Sequence, residues 1–210
     1  LHEKGIPYDI VTDKELHEEG YSAIQGYKTV TTGSHPEYHT SNTLDALLAF
    51  RNRGGNFMYL GGNGFYWRVA VHEQEHGIME IRRGEGGIRA WAAEPGEYYN
   101  AFDGNYGGLW RRSGRPPQQL AGLGFTSQGQ FEGTYYRRTE ESYAPDLVWL
   151  FDGIGEEVLG DFGLSGGGAA GYELDRVDVR LGSPPNVRVL AQSEQHPDHF
   201  VLVPEELLTH

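Results

Sequence analysis

The stretch "SNTLDALLAFRNRGGNFMYLGGNGFYWR", residues 41–68, decides the fold class. Leu44, Leu47, Leu48 and Phe50 recur at helical spacing, a basic last turn follows, and Gly54 marks the stop. "NFMYL" then reads as a strand, and "GGNGF" as a glycine-rich turn behind it. Upstream, "PYDIVT" reads as a short strand. "TDKELHEEG" reads as a helix with Thr12 as N-cap, Glu15 completing a capping box, and Gly20 as the stop. "YKTVTTG" reads as a second strand. Strand–helix–strand alternation on short connections implies a parallel sheet, so residues 1–68 read as an α/β core segment.

Parallel α/β sheets carry their sites at the carboxyl ends of the strands. Two loops qualify: "TGSHPEYHT" after the second strand and "GGNGFYWR" after the third. Such a turn holds the nucleophile in many α/β enzymes. Here the apex is Asn63, with no Ser or Cys. The glycines allow close approach of a ligand or of another chain segment, and an ordinary tight turn is the alternative. The spacing matches neither the dinucleotide nor the P-loop fingerprint. In the other loop, His35, Glu37 and Tyr38 are candidates for proton transfer or ligation, with a turn-and-cap role as the plain alternative.

From Val69 the character changes. Residues 69–181 read as a β-rich, loop-rich insertion, and residues 182–210 as further strands of the same single, partial domain. "RVAVHEQEHGIMEIRRG" reads as a hairpin turning near Gly77, and "GTYYRRT", "DLVWLF", "NVRVLAQS" and "HFVLVPE" as strands. "HEQEH" matches the zinc-protease pattern, in which His72 and His76 share a helix face and Glu73 is the base. Its β-like flanks favour an exposed polar turn, which leaves a zinc hydrolase as an alternative. Arg111, Arg112 and Arg115 could clamp a carboxylate, although ion pairing suits an acidic protein better.

Composition narrows the classes. A chain of 210 residues can bury a real core. A net charge of −13 argues against nucleic acid and anionic membrane as partners. The lack of cysteine excludes disulfides and thiolate sites. No apolar run approaches a membrane span, and no basic, apolar leader points to secretion, so a cytoplasmic location is expected. The opening "LHEKGIPYDIV" lacks an initiator Met, which suggests a piece of a longer chain. Tyrosine is abundant, at 13 residues, and a deprotonated phenol is a hard oxygen ligand. Tyr66, Tyr98, Tyr99, Tyr106 and Glu173 follow the turn; one carboxylate with two phenolates would suit a trivalent ion such as Fe(III). Spacing alone does not select that set, and packed aromatics are the commoner use of such tyrosines.

"GSHPEYHT", "RGGNFMYLGGNGFYWR", "GGLWRRSGRPPQQLAGLGFTSQG", "AAGYELDR" and "SPPNVRVLAQSEQH" together resemble the N,N-dimethylformamidase large (β-type) subunit family, across nearly the whole chain. The resemblance implies a class I glutamine amidotransferase-like, flavodoxin-like core, with Asn63 where the catalytic cysteine would stand. It implies hydrolysis of N,N-dimethylformamide, or a similar small amide, to formate and dimethylamine. It also implies mononuclear iron held by two tyrosines and a glutamate, matched here to Tyr66, Tyr106 and Glu173, with Tyr38, Tyr99 and Glu132 as rivals. The family's histidine two residues before that glutamate falls on Gly171, so His35, His39 or His72 could serve instead. Phe65 and Trp67 would wall the pocket around the methyl groups, and a donor such as Asn63 would meet the oxyanion. A small α-type partner subunit and self-association of the large subunit are implied as well. A non-catalytic amidotransferase-like domain is the rival class.

Overall fold

Helix α1 (Asp13–Glu19) begins at the expected capping box: the Thr12 side chain accepts the Glu15 N–H, and the Glu15 carboxylate accepts the Thr12 N–H. The structure is a computed structural model of the chain and describes residues 1–83, 97–162 and 167–202. Helix α2 (Ser41–Asn52) starts at Thr40, whose hydroxyl accepts the Thr43 N–H. Its inner face buries Leu44, Ala46, Leu47 and Phe50 against Leu16, Ile24, Phe65, Trp110 and Leu120, which forms the main core. Burying each of the leucine, isoleucine and phenylalanine side chains contributes about 1.5–3 kcal/mol.

Strands β1 (Thr29–Thr31), β2 (Tyr38–His39), β3 (Asn56–Met58) and β4 (Trp67–Val71) interleave with α2. β1 pairs with β3 and β2 with β4, both in parallel, so the strand–helix–strand expectation holds. β5 (Met79–Ile81) returns antiparallel to β4. The short helix α3 (Pro117–Ala121) comes next, then β6 (Gly124–Gln128), β7 (Tyr135–Arg138), β8 (Val158–Leu159), β9 (Glu173–Arg176), β10 (Ala191–Glu194) and β11 (Val201–Leu202). These form two antiparallel sheets, ordered β11-β6-β9 and β10-β7-β8. Along the chain, parallel α/β pairing comes first and antiparallel β pairing follows, in small sheets throughout. The late strands β10 and β11 pair with β7 and β6, not with the parallel pairs.

Two expected strands are absent. Pro7–Thr12 runs as largely exposed chain into the α1 cap, and without a partner a strand gains no ladder. Val148–Phe151 is a 3-10 turn, because local bonds such as Leu150 N–H to Leu147 O (3.0 Å) and the Trp149 indole N–H to Asp146 O (3.0 Å) satisfy its backbone first. Of "HFVLVPE", residues 203–205 lie outside the described residues, as does part of "GLSGGGAAG".

The glycine turn explains how the β-rich part meets the core. A Cβ on Gly62 would stand 2.7 Å from the Glu173 carbonyl oxygen, and one on Gly64 would stand 2.6 Å from the Tyr59 ring. A Cβ on Gly61 would overlap the Ser34 carbonyl. The close approach is therefore to other chain segments. We expect Gly62→Ala to push β9 off the turn and cost about 1–3 kcal/mol, as overpacking does. Gly26→Ala, with open space around its Cβ, should be near neutral. Denaturant unfolding of the two variants checks this; equal midpoints would contradict it.

Candidate active site

β2, β4 and β9 converge on a cavity of about 170 Å³. Glu37, Tyr38, Asn63, Tyr66, Trp67 and Glu173 line it, with Arg83, Phe125 and Gln128 at its sides. Pockets for drug-sized ligands run to roughly 300–1,000 Å³, so this one suits a ligand of a few heavy atoms. It sits between the two loops that parallel-strand topology marks as site loops.

The polar floor is a linked set. The Asn63 side-chain N–H groups donate to Glu37 Oε1 (3.2 Å) and to Glu173 Oε1 (3.3 Å). Only the nitrogen of an amide can donate to two carboxylates, which fixes its orientation. His35 lies across the same pair, with Nε2 2.9 Å from Glu37 Oε2 and Nδ1 3.4 Å from Glu173 Oε2. Behind them, Asp175 accepts the Asn63 backbone N–H at 2.9 Å and the Tyr59 hydroxyl at 2.6 Å. The Tyr59 oxygen in turn accepts the Gly64 N–H at 2.6 Å. Burial pushes the Asp175 carboxyl up to about 6, against the opposing pull of those two donors. Burial and the neighbouring Asp175 charge push the Tyr59 phenol well above its usual range.

The phenol wall differs. Tyr66 is buried, and its oxygen accepts from Arg111 Nη2 at 3.1 Å. Burial drives the phenol up to about 12 while the Arg111 cation works against it. Tyr38 is also pushed up, by burial first and then by the Glu37 charge.

The structure brings Asn63, His35, Tyr38, Tyr66, Trp67 and Glu173 to one place, and it separates the rest. Phe65 does not line this cavity. Its backbone takes φ 56°, which turns the ring into the main core, where it stacks on His39 at 4.9 Å. Tyr106 does not line the cavity; its ring packs with Tyr98 (6.3 Å) and Tyr99 (5.5 Å). Glu132 pairs with His199 at 3.0 Å on the surface. His39 is buried and bonded to Thr43 (3.2 Å) and the Pro36 carbonyl (3.0 Å), a structural role. His72 and His76 lie in the β4–β5 turn, not on a helix face, and His72 Nδ1 accepts the Gln74 and Glu75 N–H groups. Among the described residues no group of three or more His, Asp and Glu side chains is arranged to hold a metal. Arg111 serves Tyr66, and Arg115 pairs with Asp45 at 2.6 Å. Sequence reasoning missed Tyr59 and Asp175. The period of two along a strand puts Asp175 on the same face as Glu173, and that signal was available.

A family model described as N,N-dimethylformamidase beta subunit-like, C-terminal, matches residues 1–206. Proteins named N,N-dimethylformamidase beta subunit from Paracoccus aminophilus and from an Alcaligenes species are each 42% identical to this chain over 207 residues. The match covers 98% of this chain and 27% of each relative, so the chain spans about a quarter of their length.

Asp175 yields a test with a sign. Its folded value near 6 exceeds the ordinary 3.8, so its contribution to stability is fully present below the unfolded value and is lost as pH rises through about 6. Above that pH the charged carboxylate depends on its donors. Tyr59→Phe should therefore cost about 1–3 kcal/mol, and more at about pH 8 than at about pH 4.5. Chemical denaturation at both pH values checks it; a pH-independent loss would contradict the assignment.

Proposed function

Because this chain belongs to the N,N-dimethylformamidase beta subunit-like, C-terminal family, we propose that its cavity hydrolyses the C–N bond of a small N-alkyl formamide. Water adds to the formyl carbon, and N,N-dimethylformamide gives formate and dimethylamine. The observation that carries this reading is the cavity itself: it is small, and it gathers Glu37, Glu173, His35 and two phenols around one buried amide. The zinc alternative has no support once His72 and His76 occupy a turn. We also read residues 1–68 as part of an amidotransferase-like core. In support, Asn63 takes φ 54° at the apex, the kind of strained turn that carries a nucleophile in such folds. The segment after it is β4, where such a turn would feed a helix.

The oxygen donors Tyr38, Tyr66, Glu37 and Glu173 fit a hard, highly charged cation. Arg111 at the Tyr66 oxygen supplies positive charge that favours the phenolate. In this reading Tyr66 and Glu173 hold iron, and Tyr38 is the second phenol, since Tyr106 packs elsewhere. When bound, iron supplies Lewis acidity toward the amide carbonyl and toward water. The chain does the rest. Asn63 bridges Glu37 and Glu173 and fixes their spacing. His35, held between the same carboxylates, takes or gives a proton at Nδ1 or Nε2, and so can protonate the departing amine. A small partner subunit, self-association and a cytoplasmic setting belong to the same reading. Among the described residues no helix is long and apolar enough to cross a membrane.

Metal analysis of the full-length protein with its partner tests the ligand set. Tyr66→Phe and Tyr38→Phe should each lose most of the iron, and Tyr106→Phe should keep it. Retention by Tyr66→Phe would refute the set. Loss in Tyr106→Phe with retention in Tyr38→Phe would move the second phenol to Tyr106. Both cavity phenols sit high on the pH scale, so loading should release protons and weaken as pH falls.

A further inference from the structure

Arg83 is the cation of the cavity wall. It comes just after β5, is half-buried, and lines the cavity together with Trp67, Tyr38 and Tyr66. Its guanidinium carbon stands 4.8 Å over the Trp67 ring, a contact that holds the side chain in place. Its charge reaches both cavity phenols: at Tyr38 and at Tyr66 it opposes the upward push that burial, the largest cause, gives them. The guanidinium therefore lies at the cavity, near the phenols. The arginines around it are committed elsewhere. Arg82 pairs with Glu80 (2.6 Å), Arg68 pairs with Asp103 (2.6 Å), and Arg111 donates to Tyr66 (3.1 Å). Among the described residues no carboxylate pairs with Arg83, and its Nε is unpartnered. The chain has 30 acidic residues against 17 Lys and Arg, so carboxylates are in excess. A cavity arginine that none of them claims is open to an anion from outside.

Amide hydrolysis supplies that anion. The substrate enters neutral. Water forms the new C–O bond, the C–N bond breaks, and the acid proton passes to the amine, which leaves one carboxylate anion and one alkylammonium cation. Glu37 and Glu173 attract the cation and repel the anion, and Arg83 does the opposite. We propose that Arg83 is the product-carboxylate site: the Nη groups of its guanidinium take the two oxygens of formate, hold the anion in the cavity, and make formate an inhibitor that competes with the amide. Because Nε is shut off, the pairing uses the far end of the guanidinium fork, a geometry that matches a carboxylate. This rests on the amide-hydrolysis reading and adds to it the residue that retains the product.

The test measures formate binding to the full-length protein with its partner after chelator treatment, so that no metal can hold the anion. Carbon-13-labelled formate, followed by NMR titration, is the probe. Arg83→Met should weaken binding about 10–100-fold, the range for losing a hydrogen bond to a charged group, with an unchanged thermal midpoint. Arg83→Lys keeps the charge and loses the fork, so its affinity should fall between the two; it carries the test if the Met variant does not fold. Arg82→Met, which removes a cation outside the cavity lining, should bind formate as wild type does. In the metal-loaded enzyme, formate should raise the apparent KM for N,N-dimethylformamide in wild type and do so far less in Arg83→Met. Equal formate affinity in wild type and Arg83→Met would overturn the inference and leave the amidase reading standing. If formate binds through Arg83 while the loaded wild type hydrolyses no formamide, the carboxylate site stands and the amidase reading falls.

Discussion

One carboxylate holds the site together. Asp175 accepts the Asn63 backbone N–H and the Tyr59 hydroxyl, and so clasps β9 to the turn that comes after β3. Three glycines leave the room for this, because a side chain at Gly61, Gly62 or Gly64 would strike the segments that close around the turn. Without the clasp, Glu173 would not stand opposite Glu37, and Asn63 would have only one carboxylate to bond.

The turn itself is strained. Asn63 and Phe65 both take left-handed backbone angles, φ 54° and 56°, with Gly64 between them. For Asn this is tolerable, but for a bulky Phe it is an outlier. Such positions cost on the order of 1–3 kcal/mol each and persist only where the surroundings over-determine them. Here the surroundings are plain. The Phe65 N–H donates to the Pro36 carbonyl at 2.7 Å, its ring is buried in the main core, and the Gly64 N–H is taken by Tyr59. The result is a rigid support: Asn63 faces the carboxylates, Phe65 faces the core, and Tyr66 and Trp67 face the cavity.

Local features were legible in the sequence. The Thr12–Glu15 box, the apolar face of α2 and the hairpin at "HEQEH" depend on residues a few places apart, and each appears in the structure. The two loops that border the cavity were legible too, since parallel pairing fixes which strand ends carry loops. What was not legible depends on distant contacts or on unusual backbone angles. Asn63 and Asp175 are 112 residues apart, and nothing in "AAGYELDR" announces which turn it will meet. Phe65 reads as a pocket wall beside Trp67 until the positive φ reverses its direction. Tyr106 reads as one phenol among several until its packing with Tyr98 and Tyr99 becomes visible.

The central proposal is that this cavity, between the glycine turn and β9, would hold the amide and the iron. Anomalous diffraction at the iron edge, from crystals of the full-length protein with its partner, addresses it most directly. The account predicts one strong peak within bonding distance of the Tyr66 and Glu173 oxygens. A peak elsewhere in the protein, with none in this cavity, would contradict it.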